Sequence, residues 1–359
     1  MQRLVLHFDL DYFYAQAEEI RRPELKEKPF AVGIFSGRSE FSGAIATSNY
    51  KAREFGIKAG IPISFAKKKC ESLIVLKADR EYYEMLSDRV MEIIREKGEK
   101  FEQLSIDEAC LEVTETTKGN FAEAEKLGKK IKEEIFEKEK LTCSVGLGPN
   151  KLIAKMAADS KKPNGFTSVI PSFVKEFLRS KKISDITGIG PKTIEELEKN
   201  GIRTIPELAS TPLQKLIEVF GEKKGKVLYE RANGIDNDPV LEKEPQQYSR
   251  LMTLKENSSN ALKIIEESKE LAEDLAKKCV ESKKTFKVVS IIIVSSSLQV
   301  FTKSKTLQKP SQKTEEILVV SKELLESFIN LNKNILIRRF GFRISGLEEK
   351  KKQPTLFDY

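Results

Sequence analysis

The sequence predicts an α+β protein built from several modules. Through about residue 167, strand-length apolar runs alternate with stretches of helical periodicity. From about residue 171 the texture changes to short helices. Beyond a Pro- and Asp-bearing stretch at 234–245, the predicted order is β-α-β-β-α-β, the split arrangement of ferredoxin-like modules. A length of 359 residues suits about two domains, or more small ones, and 39% hydrophobic residues suffice for packed cores.

The run Leu4-Val5-Leu6-His7-Phe8 places residues 1–10 in a strand that Asp9 closes. Tyr12 to Arg22 has helical spacing and stops near Pro23. Pro29 to Phe35 and Phe41 to Thr47 read as strands around Ser36-Gly37-Arg38, and Asn49 to Phe55 as a short helix. Arg80 to Glu99 reads as a long helix. Apolar alternation on both sides of 105–109 then predicts two short strands meeting at a tight connection. A helix over Asn120–Lys140, a strand over Thr142–Leu147 and a helix opened by Gly148-Pro149-Asn150, carrying Lys151 and Lys155, complete the first part. In the second, Gly188-Ile189-Gly190 joins two short helices. In the third, strands near Tyr248–Leu254, Phe286–Val294, Val300–Leu307 and Leu336–Ile344 are interleaved with helices at 260–284 and 312–331.

Composition removes several classes of function. There is no long apolar segment: the run Val288 to Val294 is far short of the ~20 residues of a membrane helix. With Arg3, His7 and Asp9 at the start in place of a secretion signal, the expectation is a soluble, cytoplasmic protein with no membrane partner. Cys70, Cys110, Cys143 and Cys279 are isolated, without zinc-ligand spacing, and read as reduced thiols. His7 is the single histidine, so histidine-cluster zinc catalysis is excluded; no G-x-S-x-G elbow supports a serine hydrolase. Of the net charge of +8, residues 245–345 hold +7, from 18 Lys+Arg against 11 Asp+Glu. Such a basic module is an electrostatic footprint for phosphate backbones, although lysine-rich solvated surfaces are also common.

Asp107 and Glu108 are adjacent, and neighbours in a regular strand point to opposite faces. They reach one site only if the backbone turns there. With Asp9 they would then form an oxygen-rich trio for hard divalent cations, suited to two-metal phosphoryl transfer. Taken alone, an Asp-Glu pair at a turn is ordinarily just solvated. Tyr50 and Arg53, three apart on one helical face, offer a hydroxyl and a planar fork to phosphate oxygens, and Lys162 adds a third contact, with a positive charge; each taken singly reads rather as a surface contact. Asp11 lies where a helix starts and reads as its cap rather than as a fourth ligand. The Gly188–Gly190 turn with Lys192 can present backbone N–H groups to a phosphate without reading bases. The last residues, Gln353 to Tyr359, gather apolar groups on a terminus and fit a partner pocket.

These motifs together resemble the Y-family DNA polymerases, most closely the archaeal DinB, or polymerase IV, branch. The likeness spans about residues 3–345, through Asp9-Leu10-Asp11-Tyr12-Phe13-Tyr14, Ala46 to Arg53, Ser105 to Ala109, and Ala157-Ala158-Asp159 to Gly165. It implies a right-hand architecture: a palm at 1–10 and 78–167, fingers at 11–77, a helix-hairpin-helix thumb at 168–233, a linker at 234–245, a little finger at 246–345 and a flexible tail at 346–359. It further implies two Mg²⁺ ions on Asp9, Asp107, Glu108 and the Leu10 carbonyl. Tyr50, Arg53 and Lys162 match the family's triphosphate contacts, and Tyr14 its steric gate against ribose. Ala44, Ala46 and Gly60 match positions lining the nascent base pair, where small side chains give little shape selection.

The expected activity is therefore low-fidelity, template-directed translesion synthesis on primer–template DNA with dNTP, by a monomer without a proofreading exonuclease. DNA contacts are expected at Gly188, Gly190, Lys192, Arg250, Lys303, Lys305, Arg338 and Arg339. Gln353, Leu356, Phe357 and Tyr359 resemble a sliding-clamp box, ending at Tyr359 without a second terminal aromatic. The rivals are a non-catalytic DNA-binding repair protein, which Tyr50 and Arg53 beside the acidic trio disfavour, and a nucleotidyl cyclase, which the thumb and little finger disfavour.

Overall fold

A computed structural model describes residues 1–242 and 244–350. The described residues divide into two compact units, the first made of residues 1–33, 45–61 and 66–242, the second of 34–44, 62–65 and 244–350.

From the start of the chain, β1 (Val5–Leu10) leads through α1 (Phe13–Arg21) to β2 (Phe30–Phe35), β3 (Gly43–Ser48), α2 (Tyr50–Glu54), α3 (Ile63–Lys69) and β4 (Ile74–Lys77). Then follow α4 (Arg80–Arg95), β5 (Lys100–Gln103), β6 (Glu108–Glu112), α5 (Phe121–Glu139), β7 (Cys143–Gly148), α6 (Lys151–Asp159) and β8 (Phe166–Ser168). A small sheet has the order β3-β2-β4. The main sheet has the order β5-β6-β1-β7-β8, with β1 central and wholly buried.

Alternation along β1 sorts its side chains. Leu4, Leu6, Phe8 and Leu10 enter the large core with Leu86, Val90 and Ile94 of α4 and Ile131 and Ile135 of α5. Val5, His7 and Asp9 take the other face, where Val5 and Cys110 pack with Ala154 of α6. Gly146 in β7 lets α6 lie directly on backbone, because a Cβ there would sit 1.9 Å from the Ala154 carbonyl oxygen. Asn150 caps α6 by accepting from the Ile153 N–H at 2.9 Å.

The helical part of the first unit comprises α7 (Val174–Arg179), α8 (Pro191–Lys199), α9 (Ile205–Ser210), α10 (Leu213–Phe220) and α11 (Glu222–Ala232). They share a core with Leu152, Ile153 and Met156 of α6. Gly188 adopts φ +83, and Arg231 packs against it while donating to the Thr187 carbonyl.

In the second unit, β9 (Gln247–Ser258), α12 (Ala261–Glu267), α13 (Lys269–Glu281), β10 (Lys284–Ser295), β11 (Val300–Ser311), α14 (Thr314–Leu331) and β12 (Ile337–Ser345) realise the predicted order. The expected helix at 260–284 is broken at Ser268, whose hydroxyl donates to the Ile264 carbonyl at 2.8 Å. The sheet order is β11-β10-β12-β9, and Val289, Ile291, Ile293, Phe340 and Phe342 share a core with the helices. Residues 346–350 depart from the expected flexible tail. Gly346 turns the chain at φ +63, Leu347 packs on the core, and β13 (Glu348–Glu349) pairs with Thr285 and Lys284 of β10. Among the described residues no helix is long and apolar enough to cross a membrane, and all four cysteines are free and buried.

Candidate active site

The site is made where β1 ends and β6 begins. Asp9 and Glu108 are register partners, so their side chains share the sheet face covered by α6. Asp107 precedes β6 and escapes strand alternation. Its carbonyl accepts from the Leu10 N–H at 2.9 Å, and its carboxylate from the Ser105 hydroxyl at 2.5 Å. The backbone turn required for adjacent acids to serve one site is thus present. Asp9, Leu10, Asp107 and Glu108 line one cleft of about 360 Å³ with Tyr14, Ala46, Tyr50, Arg53 and Lys162. A larger cleft of about 590 Å³ beyond α6, lined by Asp159, Lys181, Ser184 and Gly188 among others, shares none of those residues. The three acids singled out in the sequence all line the smaller one.

Two lysines pair with the acids. Lys162 Nζ is 2.5 Å from Asp9 and 2.8 Å from Asp159, and Lys155 Nζ is 2.5 Å from Glu108. Sequence reasoning missed Lys155 as a site residue. Its signal was the i, i+4 pair with Lys151, which meets Glu102 of β5 at 2.8 Å, so one helical face carries both ammonium groups to the sheet. Lys162, read as a triphosphate contact, rests here on the carboxylates.

Burial pushes the Asp9 carboxyl from 3.8 up to about 7 against the pull of Lys162, with Glu108 and Asp159 adding to the rise. Burial also works against the Lys162 charge, but Asp9 and Asp159 together hold it above the ordinary lysine value. The two shifts pull on one contact in opposite senses, and for Asp9 burial is the larger effect: one ammonium does not supply enough positive charge. Buried oxygen donors short of positive charge fit a divalent cation. His7, fully buried, is held well below its ordinary value by burial and by Lys155 and Lys162, and is neutral. Its Nε2 lies 3.9 Å from Glu108, and its Nδ1 3.4 Å from the Cys110 sulfur.

A pH dependence follows. Because the folded value of Asp9 lies above the unfolded one, the native state binds more protons between about pH 4 and 7, and Asp9 costs the metal-free fold stability as pH rises through that window. Asp9→Asn is expected to stabilise the metal-free chain by on the order of 2 kcal/mol at pH 8, with Lys162 keeping Asp159, and by little at pH 4. Denaturant unfolding in a chelator at the two pH values measures this, and equal stabilisation at both would refute it.

Asp11 is not the helix cap expected from sequence. The residue before α1 is Tyr12, at φ 36, with no side-chain cap. The buried Asp11 carboxylate instead accepts from the Thr142 hydroxyl at 2.8 Å, the Ser144 hydroxyl at 2.7 Å and the Asn164 N–H at 2.8 Å. It ties the exit of β1 to β7 and to the loop bearing Lys162.

Tyr14 stacks on Tyr83 with centroids 4.5 Å apart and planes 16° apart. The Tyr83 hydroxyl donates to Glu18 at 2.7 Å, which fixes the ring beneath. Arg53 lies over the Tyr50 ring at 4.8 Å, as the three-residue spacing implied, and its Nε donates to the Ser48 carbonyl at 3.1 Å. Ala44 forms an isolated bridge with Pro62, and Gly60 donates its N–H to the Ile45 carbonyl at 2.8 Å.

The expected DNA contacts fall on different surfaces. Gly190 precedes α8, with open space where a Cβ would stand, and Lys192 is exposed. Lys303, Lys305 and Arg250 pair in register with the core positions Ile291, Val289 and Phe342, which puts them on the helix side of their sheet. Lys305 meets Glu323 at 2.5 Å and Arg250 meets Asp274 at 3.7 Å. Arg338 lies at the irregularity between Ile337 and Arg339. Arg339 is on the open face, in register with Val294. Arg343, absent from the sequence reading, shares that face opposite Ser290, with its Nε buried and unpartnered. Gln353, Leu356, Phe357 and Tyr359 lie outside the described residues.

Residues 8–159 match the impB/mucB/samB family, residues 245–356 its C-terminal domain, and residues 184–236 a DNA polymerase-iota thumb domain. The chain is 44% identical to DNA polymerase IV 1 of Methanosarcina mazei, with 100% of both chains covered, and 42% identical to DNA polymerase IV of Nitrosopumilus maritimus, with 99% of each covered. A solved Y-family DNA polymerase chimera of Dbh and Dpo4 superposes with a TM-score of 0.91 at 33% identity, over 97% of this chain and 100% of that one. An insertion ternary complex of Dbh DNA polymerase, at 33% identity and the same coverage, gives 0.71. By matches of this identity over its full length, the chain belongs to the archaeal DNA polymerase IV branch of the Y-family and is a DNA-directed DNA polymerase of translesion synthesis.

Proposed function

We propose that the cleft adds nucleotides from dNTP to a primer 3′-hydroxyl with two Mg²⁺ ions held by Asp9, Asp107, Glu108 and the Leu10 carbonyl. The observation that carries this reading is the convergence of three carboxylates, two of them cross-strand partners, beside Tyr50 and Arg53. When bound, the ions activate the primer hydroxyl and neutralise charge on the leaving pyrophosphate. The protein's own part is positioning. Arg53 and Tyr50 take the triphosphate oxygens, and Lys162, released from Asp9, joins them. Tyr14, held by its stack on Tyr83, stands where a 2′-hydroxyl would have to enter. Primer extension on a primed template with Mg²⁺ tests the whole; no extension by the pure protein would sink it.

Ala44, Ala46 and Gly60 leave room around the nascent pair, which lowers fidelity and admits damaged template bases. The chain acts as a monomer without proofreading. The Gly188–Gly190 turn with Lys192 holds phosphates through backbone N–H groups. Arg250, Lys303, Lys305, Arg338 and Arg339 of the basic module add contacts of the salt-dependent, sequence-independent kind.

The terminal box at Gln353, Leu356, Phe357 and Tyr359 serves a sliding clamp. Truncation after Lys350 keeps β13, so basal synthesis is expected to match the full chain while clamp stimulation disappears. Equal stimulation of both forms would show the box is idle.

A further inference from the structure

We infer that His7 is a positioning residue for Glu108, its Nε2–H being a fixed donor that the carboxylate takes up when a bound ion supplies the charge now contributed by Lys155. The inference rests on the divalent-ion reading of Asp9 and Glu108.

His7 is fully buried in the central strand, between its register partners Cys110 of β6 and Gly146 of β7. Its Nε2 has no hydrogen-bond partner, which is rare for a buried ring nitrogen and calls for a reason. The reason is in the strand register. His7 lies two residues before Asp9 and so shares its face, and Glu108 stands opposite Asp9 on the neighbouring strand. Nε2 is thereby 3.9 Å from the Glu108 Oε2, beyond a hydrogen bond but within a small carboxylate rotation of one. Lys155 holds the same oxygen at 2.5 Å.

On this inference the one proton of the neutral ring sits on Nε2, facing Glu108. Nδ1, 3.4 Å from the Cys110 sulfur, is then the acceptor of the thiol S–H. A lone pair there would repel the carboxylate, whereas an N–H orients it. Outer partners of this kind fix the direction of a ligand and commonly change metal affinity 10–100-fold when removed. Lys155 and His7 are thus alternative partners for one oxygen, the ammonium when the site lacks an ion and the imidazole when it holds one.

The chain has a single histidine, so its ¹⁵N-labelled imidazole gives one uncrowded pair of signals. Expected in the full chain is the Nε2-protonated tautomer, retained on Mg²⁺ addition, with the Nε2 resonance moving and its proton exchanging more slowly. Mn²⁺ binding by the full chain with primer–template DNA, read by electron paramagnetic resonance, is expected to weaken about ten-fold in His7→Phe and to return close to wild type in His7→Gln, whose amide restores a donor. A proton on Nδ1, loss of the Nε2 proton on Mg²⁺ addition, or unchanged Mn²⁺ affinity in His7→Phe overturns the inference. If His7→Phe does not fold, the tautomer and its Mg²⁺ response in the wild-type chain decide. Saturable Mn²⁺ binding by the wild-type chain separates the two levels: its absence removes the divalent-ion reading and this inference with it, while its presence with an unaffected His7→Phe removes this inference alone.

Discussion

Asp107→Ala is expected to lower single-nucleotide insertion by on the order of a thousand-fold or more at saturating Mg²⁺ and dNTP, because the proposed ligand set loses a preorganised charge. The scaffold should survive. Alanine keeps the backbone bonds of the turn, from the Leu10 N–H to the Asp107 carbonyl and from the Leu104 and Ser105 N–H groups to the Glu108 carbonyl; it loses only the Ser105 hydroxyl contact, on a half-buried side chain. Unfolding midpoints within about 1 kcal/mol of wild type are the control. Asp11→Ala should behave in the reverse sense. It removes a buried acceptor from Thr142, Ser144 and Asn164 and costs about 3 kcal/mol or more of stability before any kinetic effect is read. Rapid pre-steady-state insertion by Asp107→Ala would take that residue out of the ligand set.

Tyr14→Ala is expected to let ribonucleotides in. A steric gate works by overpacking, and forcing an extra group into a filled site costs about 1–3 kcal/mol, so discrimination against the 2′-hydroxyl should fall about ten- to a hundred-fold. Insertion of dNTP should change less, because the Tyr83 ring remains beneath the site, anchored by its hydroxyl on Glu18. The ratio of kcat/KM for a ribo- and a deoxynucleotide of the same base checks it. An unchanged ratio would remove Tyr14 from that role. Tyr14→Phe keeps the stacked ring and should leave the ratio near wild type.

Much of this was legible in the chain because periodicity reports which face a residue occupies. The central strand, the acidic hairpin, the Asn150-capped helix and the β-α-β-β-α-β order follow from local pattern alone, and the pairing of Tyr50 with Arg53 follows from helical spacing. What was not legible depends on partners far away in sequence. Asp11 looks like a cap because sequence shows its neighbours, whereas its carboxylate reaches residues more than a hundred positions on. Lys155 looks like a surface lysine until β6 brings Glu108 beneath it. Helix α3 and strand β4 carry no strong periodic signal; β4 is four residues long and pairs in parallel with β2, whose position only the fold supplies. Arg343 and Arg250 occupy neighbouring strands of one sheet, yet only the register separates their faces.

Gly146 has a consequence for how the cleft is tuned. With no side chain at Gly146, α6 rests there on bare peptide, and a Cβ at that position could fit only if the helix moved away from β7. Lys151 and Lys155 ride on that helix, so a single added methyl would raise both ammonium groups together and change the electrical balance of the acids below. A residue with neither charge nor reactive group thus acts as the spacer that sets the voltage of the site. A search for mutations that alter the metal requirement would do well to begin at such a neutral shim rather than at the acids themselves.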